Sequence, residues 1–298
     1  MLPTDTALDE QRAARDRFLA LVAEVRPDLH RYCARMTGSV SDGEDVVQDT
    51  LARAYFLLPE LPALPEVRPW LFRVAHHRAI DFLRRYDRRM GEPLADDGPA
   101  IDGPQAADDA IARADAVASA LSRFVELPPV PRSCVILKDV LGHSLEEIAG
   151  LLELGLPAVK AALHRGRARL RQASPEPEAP VPAASPAVAR YIALFNARDW
   201  DGFRALLADD VRLDVVSRAQ RRGRREVGEY VHNYSRRDDW HLRPAVLDGR
   251  EVVAVLRHAD AVAPAYFVEL TFVDGRVASI RDFRYVPYIA TDARLVLT

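Results

Sequence analysis

The pattern of apolar and polar positions changes along the chain from a helical period to a strand period. In residues 41–58 and 70–89, apolar side chains recur every three or four positions, which predicts amphipathic helices. Ser41 and Glu44 have the spacing of a capping box and predict where the first of these helices begins. Residues 250–259, in contrast, form a short apolar run that is typical of a strand. The pattern predicts helical domains followed by a region that contains a sheet.

Residues 144–172 have the signals of a helix-turn-helix. Ser144 and Glu147 form a second capping-box pattern, at the start of a short amphipathic helix. A turn at Glu153–Gly155 separates this helix from a second one, which begins at Pro157. A helix, a turn of about three residues and a second helix is the spacing of DNA-binding helix-turn-helix motifs.

The last third of the chain combines three helical patterns with five strand-like runs. Asp274 and Gly275 lie between two of these runs and are a strong signal for a hairpin turn. Helices followed by consecutive strands predict an α+β domain with an antiparallel sheet. The helical patterns are 187–197, 199–207 and 224–235, and the runs are 211–216, 241–249, 250–259, 265–273 and 277–286.

Two segments have the composition of linkers. The first is acidic and rich in glycine and proline, and the second has five prolines in fourteen residues. These linkers divide the chain into two all-α domains and the α+β domain. The predicted order is a helical domain at 10–90, the acidic linker at 91–109, a helix-turn-helix domain at 110–172, the proline-rich linker at 173–186 and the α+β domain at 187–298.

The composition is that of an ordinary globular protein, with 49% hydrophobic residues and a formal net charge of −3. No apolar run approaches the roughly 20 residues of a membrane helix, so we expect a cytoplasmic protein without membrane contact. Two cysteines, Cys33 and Cys134, are predicted to be buried thiols. His30 and Cys33 supply two ligands, whereas a structural zinc site takes four, so we predict no metal site and no cofactor.

The charges are sorted into blocks although the chain is nearly neutral. Residues 66–90 contain seven arginines, and residues 156–172 contain five lysines or arginines and no acid. On the second of these helices, Val159 and Leu163 lie on one side, and Lys160, His164 and several arginines lie on the other. Such a face suits contact with a DNA groove, although charged helix faces are usually only solvated. The helix-turn-helix spacing and the second arginine cluster favour DNA binding.

Three stretches carry a resemblance to a known family. GSVSDGEDVVQDTLARAY and RPWLFRVAHHRAIDFLRR resemble region two, and SLEEIAGLLELGLPAVKAALHRGRARLR resembles region four, of the bacterial extracytoplasmic-function sigma factors. The resemblance covers about residues 15–172, with the three motifs in the family's order. It implies an alternative sigma factor that binds core RNA polymerase and promoter DNA and initiates transcription. An alternative interpretation is a helix-turn-helix repressor that has lost polymerase binding. The intact acidic helix at Asp42–Asp49 disfavours it.

The resemblance also implies roles for individual residues. The acidic helix contacts the polymerase β′ clamp, the arginine-rich helix reads the minus-ten element, and the basic helix reads the minus-thirty-five element. Trp70 is more typical of a core residue. The clamp residues are Asp42, Glu44, Asp45, Gln48 and Asp49; the minus-ten residues are Arg68, Arg73, His77, Arg84 and Arg85; the minus-thirty-five residues are Lys160, Ala161, His164, Arg165, Arg167 and Arg169. The family often has a hydroxyl residue and a Ser-Arg pair where this chain has Ala158 and then Ala161 and Ala162. Fewer side chains can then bond base edges, which predicts phosphate-weighted binding with a steep salt dependence.

The stretches YIALFNARDWDGFRALLADDVRLDVV and IRDFRYVPYI resemble SnoaL-like domains, which implies a cone-shaped α+β fold around a pocket. In sigma factors of this class, such an extension implies regulation of the sigma domains. Because enzymes also use this fold, the alternative is a cyclase or isomerase fused to a DNA-binding module. The candidate bases are Asp214, His232, His241 and Asp282, and a small-molecule ligand stays open as a partner. We expect regulation rather than catalysis.

Overall fold

The chain divides into two compact units, Met1–Pro175 and Glu176–Thr298. The computed structural model describes residues 5–57, 66–90, 116, 120–172, 183–235, 239–290 and 295–298. The boundary between the units falls inside the predicted proline-rich linker. The acidic linker predicted at 91–109 lies outside the described residues.

The first unit is helical. Its helices are α1 (Asp5–Thr37), α2 (Val40–Leu57), α3 (Val67–Met90), α4 (Leu121–Val125), α5 (Pro129–Val135), α6 (Leu145–Leu152) and α7 (Leu156–Gln172), with a π-helical segment (Ile136–Val140) that continues α5. The predicted capping box of α6 is confirmed: the Ser144 hydroxyl accepts a hydrogen bond from the Glu147 backbone, and the Glu147 carboxylate accepts one from the Ser144 backbone. Glu153 ends α6 in a left-handed conformation, with φ of 57°. The predicted helix-turn-helix is therefore present.

The start of α2 differs from the prediction. This helix begins at Val40, before Ser41, and the Ser39 hydroxyl accepts a hydrogen bond from the Asp42 backbone at 3.3 Å. The Glu44 side chain is fully buried and pairs with Arg26 of α1. The cap thus lies two residues earlier than the Ser41–Glu44 spacing predicts, because Glu44 packs against a neighbouring helix.

The two helical segments that the sequence separates into domains pack on one hydrophobic core. Apolar side chains from α1, α2 and α3 and from α5, α6 and α7 form a single buried cluster. Tyr32 of α1 donates a hydrogen bond to the Ser133 hydroxyl of α5 at 3.1 Å. The buried Arg132 donates to the backbone carbonyls of Met36 and Leu127. The helix-turn-helix is therefore held against the N-terminal helices in this structure.

The second unit is an α+β fold built on a seven-stranded sheet. Its helices are α8 (Pro186–Asn196), α9 (Trp200–Leu206) and α10 (Arg224–Ser235), and a 3-10 turn spans Pro287–Ala290. Its strands are β1 (Leu207–Val215), β2 (Ala219–Arg222), β3 (His241–Leu247), β4 (Arg250–Leu256), β5 (Tyr266–Val273), β6 (Arg276–Asp282) and β7 (Leu295–Leu297), in the order β2-β1-β6-β5-β4-β3-β7.

The sheet is mixed, whereas the sequence predicts an antiparallel one. The predicted hairpin turn is confirmed, since Asp274 and Gly275 have φ of 51° and 73° between the antiparallel strands β5 and β6. However, β1 pairs with β6 in parallel, and Asp214 is the partner of Arg281. These two strands are far apart in the chain, and local alternation carries no information on the direction of such a pair.

Candidate nucleic-acid interface and ligand cavity

Helix α7 exposes a basic side. Val159, Leu163 and Leu170 are buried in the core of the unit. The side chains of Lys160 and Arg169 are exposed. His164 and Arg165 are half-buried between them, so four of the six predicted minus-thirty-five residues reach the surface of this helix.

The other two predicted residues of α7 are mostly covered by the rest of the unit. Ala161 is 8% exposed. Arg167 is 12% exposed and binds the carboxylate of Asp139 through two hydrogen bonds, at 2.9 and 2.5 Å. Asp139 itself is 2% exposed. This bidentate pair joins α7 to the π-helical segment, so Arg167 stabilises the position of α7 in the structure.

Helix α3 exposes a second basic side. Steps of about 100° per residue place Arg73, His77 and Arg84 on one face, and all three side chains are exposed. Arg85 is exposed next to this face. Arg68 lies on a different side of the helix, where it binds Asp28 of α1 at 2.5 Å. The predicted minus-ten residues are therefore brought together except for Arg68.

The N-terminal end of the α3 face lies against the helix-turn-helix. Arg73 donates a hydrogen bond to the Gly150 carbonyl of α6 at 3.3 Å, and its guanidinium lies 3.9 Å from the Glu153 carboxylate. The His143 ring contacts the Phe72 ring edge-on, with 5.4 Å between their centroids. One end of the predicted minus-ten surface is thus occupied by the other half of the same unit.

A buried polar cluster lies behind this contact. The Nδ1 atom of His76 lies 2.8 Å from the Tyr32 hydroxyl and 3.3 Å from the Ser133 hydroxyl. Burial, together with the neighbouring His77, lowers the pKa of His76 from 6.5 to about 4. Burial also raises the pKa of Tyr32 above its ordinary value. The cluster is therefore neutral near pH 7 and joins helices from both predicted helical domains.

Helix α2 exposes an acidic side. Asp45 and Asp49 are exposed, and Asp42 and Gln48 are half-buried beside them. Asp49 lies 3.7 Å from the Arg78 guanidinium of α3. Glu44, the remaining predicted clamp residue, is buried and therefore does not belong to this face.

The sequence pattern missed an exposed aromatic patch at the end of α2. Phe56 is 65% exposed and Tyr55 is 46% exposed. The Arg53 guanidinium lies 5.9 Å from the centroid of the Phe56 ring. The helical period places Tyr55 in the apolar stripe of α2 and Phe56 outside it. An aromatic residue outside the apolar stripe is the sequence signal from which this exposed patch could have been predicted. Trp70, by contrast, packs on the core beside Phe18, as its spacing predicts.

The second unit contains a cavity with about 440 Å³ of empty space. It lies between the sheet and the helices, and its wall is mainly aliphatic and aromatic. The lining residues are Tyr191, Phe195, Phe203, Leu213, Tyr230, Val231, Leu242, Val253, Val255, Tyr266, Val268, Ile280 and Asp282.

Of the three candidate bases whose side chains the structure describes, Asp282 lines this cavity. Asp282 is 3% exposed, and its carboxylate accepts hydrogen bonds from the Tyr230 hydroxyl and from the Arg284 backbone N–H, both at 2.9 Å. Asp214 does not line the cavity and lies 3.9 Å from the Arg281 guanidinium. His241 lies beside Asn196 outside the cavity lining, and its pKa is lowered by partial burial and by nearby arginines. The side chain of His232 is outside the described residues.

The part of the chain that the structure describes has neither a cluster of metal ligands nor a membrane-spanning helix. No group of three or more His, Cys, Asp or Glu side chains there could hold a metal ion. Both cysteines are buried free thiols, as predicted. No helix in the same part of the chain combines the length and apolar character needed to cross a membrane.

Three family models match successive parts of the chain. They are Sigma-70 region 2 over residues 21–89, Sigma-70, region 4 over residues 119–170, and SnoaL-like domain over residues 188–280. The first two contain the basic helices α3 and α7, and the third contains most of the cavity wall.

Relatives of known name agree with these models. SigG of Mycobacterium tuberculosis, an ECF RNA polymerase sigma factor, is 30% identical over 220 residues, and the match covers 65% of this chain and 59% of SigG. The chain thus spans less than two thirds of that relative. The crystal structure of the M. tuberculosis extracytoplasmic-function sigma factor SigJ is 23% identical in sequence, and the match covers 89% of this chain and 95% of SigJ with a TM-score of 0.37.

SigM of M. tuberculosis, also an ECF RNA polymerase sigma factor, is 32% identical over 170 residues, and the match covers 56% of this chain and 83% of SigM. The helix-turn-helix, the two basic helix faces and these matches lead to one assignment: the chain belongs to the extracytoplasmic-function family of RNA polymerase sigma factors.

Proposed function

We propose that the protein is an alternative sigma factor that binds core RNA polymerase and directs promoter recognition and transcription initiation. The observation that carries the proposal is the presence, in one unit, of an acidic face on α2 and of basic faces on α3 and α7. This arrangement suits a protein that bridges an enzyme and a nucleic acid. Its action is binding and DNA opening without covalent chemistry, in the compartment where polymerase works, the cytoplasm.

The polymerase contact of this proposal is the exposed acidic face of α2. Asp45 and Asp49 project furthest into solvent, with Asp42 and Gln48 beside them. We assign this face to the β′ clamp of core polymerase and leave the buried Glu44 out of it. Exposed carboxylates of one sign offer electrostatic complementarity to a basic partner surface.

Core-polymerase binding by two double variants tests this contact. We expect Asp45→Ala/Asp49→Ala to weaken binding about tenfold, since charge pairs that are desolvated in an interface contribute strongly. The matched control is Glu126→Ala/Glu146→Ala, which removes two exposed acids of the same unit, one just after α4 and one in α6. Equal affinities of the two double variants would contradict the assignment.

The DNA contacts of the proposal divide between two helices. Lys160, His164, Arg165 and Arg169 of α7 are assigned to the minus-thirty-five element. Arg73, His77, Arg84 and Arg85 of α3 are assigned to the minus-ten element. Because most of these groups are cations and few other hydrogen-bonding side chains accompany them, phosphate contacts dominate and affinity falls steeply with salt.

The packing of the first unit adds a conformational step to the proposal. Two promoter elements about 25 base pairs apart are separated by about 85 Å along B-DNA, whereas a compact unit of this size has a radius of gyration of about 16 Å. Both basic faces therefore reach their elements only when α6 and α7 separate from α3. The Arg73 contact with α6 opposes that separation in the free protein.

We assign a regulatory role to the second unit, which acts on the sigma domains and takes a small-molecule ligand. The test is transcription in vitro with the full chain and with a chain that ends at residue 175, the unit boundary. A difference in transcript yield at equal core occupancy supports regulation, and its sign distinguishes activation from inhibition. Identical yields, with and without the second unit, contradict it.

An alternative function is that of a cyclase or isomerase fused to a DNA-binding module. The observation that favours it is the Asp282 carboxylate on the wall of an apolar cavity, where it could act as a general base. In this case transcription would not depend on the chain at all. The core-binding experiment therefore separates the two functions.

A further inference from the structure

The hairpin formed by β1 and β2 at one edge of the sheet is basic. Residues 218–225 contain five arginines and no acid. Four exposed arginines lie on the hairpin itself, and we call them the hairpin arginines. They are Arg212 on β1, Arg218 in the turn, and Arg221 and Arg222 on β2. Because β2 is an edge strand, no further strand of the sheet covers it.

The hairpin arginines differ from the two arginines that follow them in the chain. Arg224 lies 2.9 Å from the carboxylate of Asp209, and Arg225 lies 3.7 Å from that of Glu229. In the described ranges, by contrast, no carboxylate lies within 4.0 Å of the guanidinium of a hairpin arginine. The hairpin therefore presents several positive charges that nearby acids do not neutralise.

Two of the hairpin arginines stand directly opposite each other. Arg212 and Arg222 are register partners in the antiparallel pair of β1 and β2, and both side chains are exposed. Such partners have Cβ atoms about 4.5–5.5 Å apart, and like charges in these positions repel each other. Asp214, two residues further along β1, instead lies 3.9 Å from Arg281 of the neighbouring strand. The hairpin thus keeps a repulsive pair of arginines where one anion can bridge both guanidinium groups.

The surface of the hairpin favours nucleic acid over a protein as the anionic partner. The exposed side chains of residues 207–222, all of which the structure describes, include no large apolar group. Protein interfaces bury a centre of aromatic and aliphatic side chains, whereas most protein–DNA hydrogen bonds go to phosphate and sugar. From Arg218 to Arg222 an extended chain spans about 13 Å, along which duplex DNA carries about eight phosphates. A guanidinium also presents its donors in a fork that matches a phosphate group.

We propose that the hairpin arginines bind the phosphate backbone of duplex DNA, with Arg212 and Arg222 sharing one phosphate. This contact goes beyond the function proposed above, which places DNA binding on α3 and α7 of the first unit. It adds affinity without reading sequence, because phosphates carry no sequence information. Binding of the free chain to DNA requires no polymerase, so failure of this contact is distinguishable from failure of the sigma-factor function.

The test measures binding of the full chain, without polymerase, to a fluorescently labelled duplex at several salt concentrations. Arg212→Gln/Arg222→Gln removes the opposed pair, and the matched control Arg190→Gln/Arg204→Gln removes the same charge from α8 and α9 of the same unit. We expect the first variant to bind at least about tenfold more weakly at about 100 mM salt. It should also lower the slope of log affinity against log salt by about 1.8, because each phosphate contact contributes about 0.9. The control should keep the wild-type slope.

Thermal unfolding checks the fold of each variant. Loss of the opposed charges should leave the melting temperature of Arg212→Gln/Arg222→Gln equal to that of the wild type or higher, because their repulsion is removed. If this variant does not fold, Arg222→Glu decides, because it replaces the repulsive pair with a cross-strand ion pair and still removes the phosphate contact. A wild-type salt slope in that variant would then refute the proposal.

Three further results would overturn the proposal. The first is no binding of the wild-type chain to DNA at low salt, and the second is a wild-type salt slope in Arg212→Gln/Arg222→Gln. The third is an equal loss of affinity in both double variants, which would make the effect one of net charge alone. A parallel titration with poly-L-glutamate tests for an acidic protein partner. If the loss of affinity for that polymer in Arg212→Gln/Arg222→Gln equals or exceeds the loss for DNA, the surface belongs to a protein contact instead.

Discussion

The pair formed by Arg167 and Asp139 yields a prediction that separates a structural role from DNA contact. Replacing Arg167 with methionine keeps most of the side-chain length and removes the guanidinium. The Asp139 carboxylate, 2% exposed, then stays buried without this partner. Loss of one partner of a buried ion pair costs about 3–5 kcal/mol. Since domains are typically stable by about 5–15 kcal/mol, we expect a large loss of stability in the first unit.

A double-mutant cycle measures this loss. Urea unfolding followed by circular dichroism gives the free energy of unfolding for Arg167→Met, Asp139→Asn and the double variant. We expect a coupling energy of at least about 2 kcal/mol, because the double variant leaves neither charge buried alone. The control Arg169→Met removes an exposed arginine of the same helix and should change stability by less than about 0.5 kcal/mol.

For DNA binding, the two arginine variants should rank in the opposite order to their effects on stability. Under conditions where all are folded, Arg169→Met should weaken holoenzyme binding to DNA, whereas Arg167→Met should leave it close to that of the wild type. The reasoning is refuted if Arg167→Met is as stable as the wild type, or if the two charges show no coupling. Arg167 would then be available to DNA in the way the sequence motif implies.

Three further predictions follow from other contacts of the first unit. Gly43→Ala should destabilise the protein by about 1–3 kcal/mol in urea unfolding, because a Cβ there would lie 2.6 Å from the Ala34 backbone, whereas Gly150→Ala, with no atom within 4 Å, should gain about 0.5–1 kcal/mol. For His76, the folded pKa of about 4 lies below the unfolded 6.5, so the unfolded chain binds more protons in this window and stability falls as pH drops. Because of His76, the free energy of unfolding should be about 2 kcal/mol lower at pH 5.0 than at pH 7.5. The variant His76→Gln should reduce this difference. Arg84→Ala should lower the slope of log affinity against log salt by about 0.9 in holoenzyme binding to DNA, and an unchanged slope would exclude a phosphate contact.

The helix-turn-helix could be predicted from sequence because its signals are local. Ser144 and Glu147 satisfy each other within one turn of helix, and Glu153 ends that helix without help from distant residues. The Ser41–Glu44 spacing has the same local form, but Glu44 pairs with Arg26, eighteen residues away. A distant partner overrides a local signal, and a single sequence does not record that partner.

The burial of the α7 side chains shows the same limit of prediction from sequence. Periodicity separates Val159 from Lys160 correctly, because a step of about 100° around the helix takes the chain from the buried side to the exposed side. It places Arg167 on the flank, where only the position of Asp139 decides whether the guanidinium meets solvent or a buried acid. The periodicity of each helical segment likewise does not predict that both segments pack on one core, because it contains no information on contacts between segments.

The candidate bases of the second unit could have been sorted further from sequence. Alternation with Leu213 places Asp214 outside, and alternation with Ile280 places Asp282 inside, as the structure has them. What alternation does not give is Tyr230, which reaches Asp282 from a helix fifty-two residues away. The carboxylate was therefore predictable as an inward group, and its partner was not.

Transcription by bacterial core polymerase supplied with the full chain tests the central claim most directly. Run-off reactions on pooled genomic fragments should give transcripts of defined length only when the chain is present. These transcripts should decrease with Asp45→Ala/Asp49→Ala and persist with the control Glu126→Ala/Glu146→Ala. Absence of chain-dependent transcripts, together with absence of core binding, would contradict the account and would leave the cavity of the second unit as the working site.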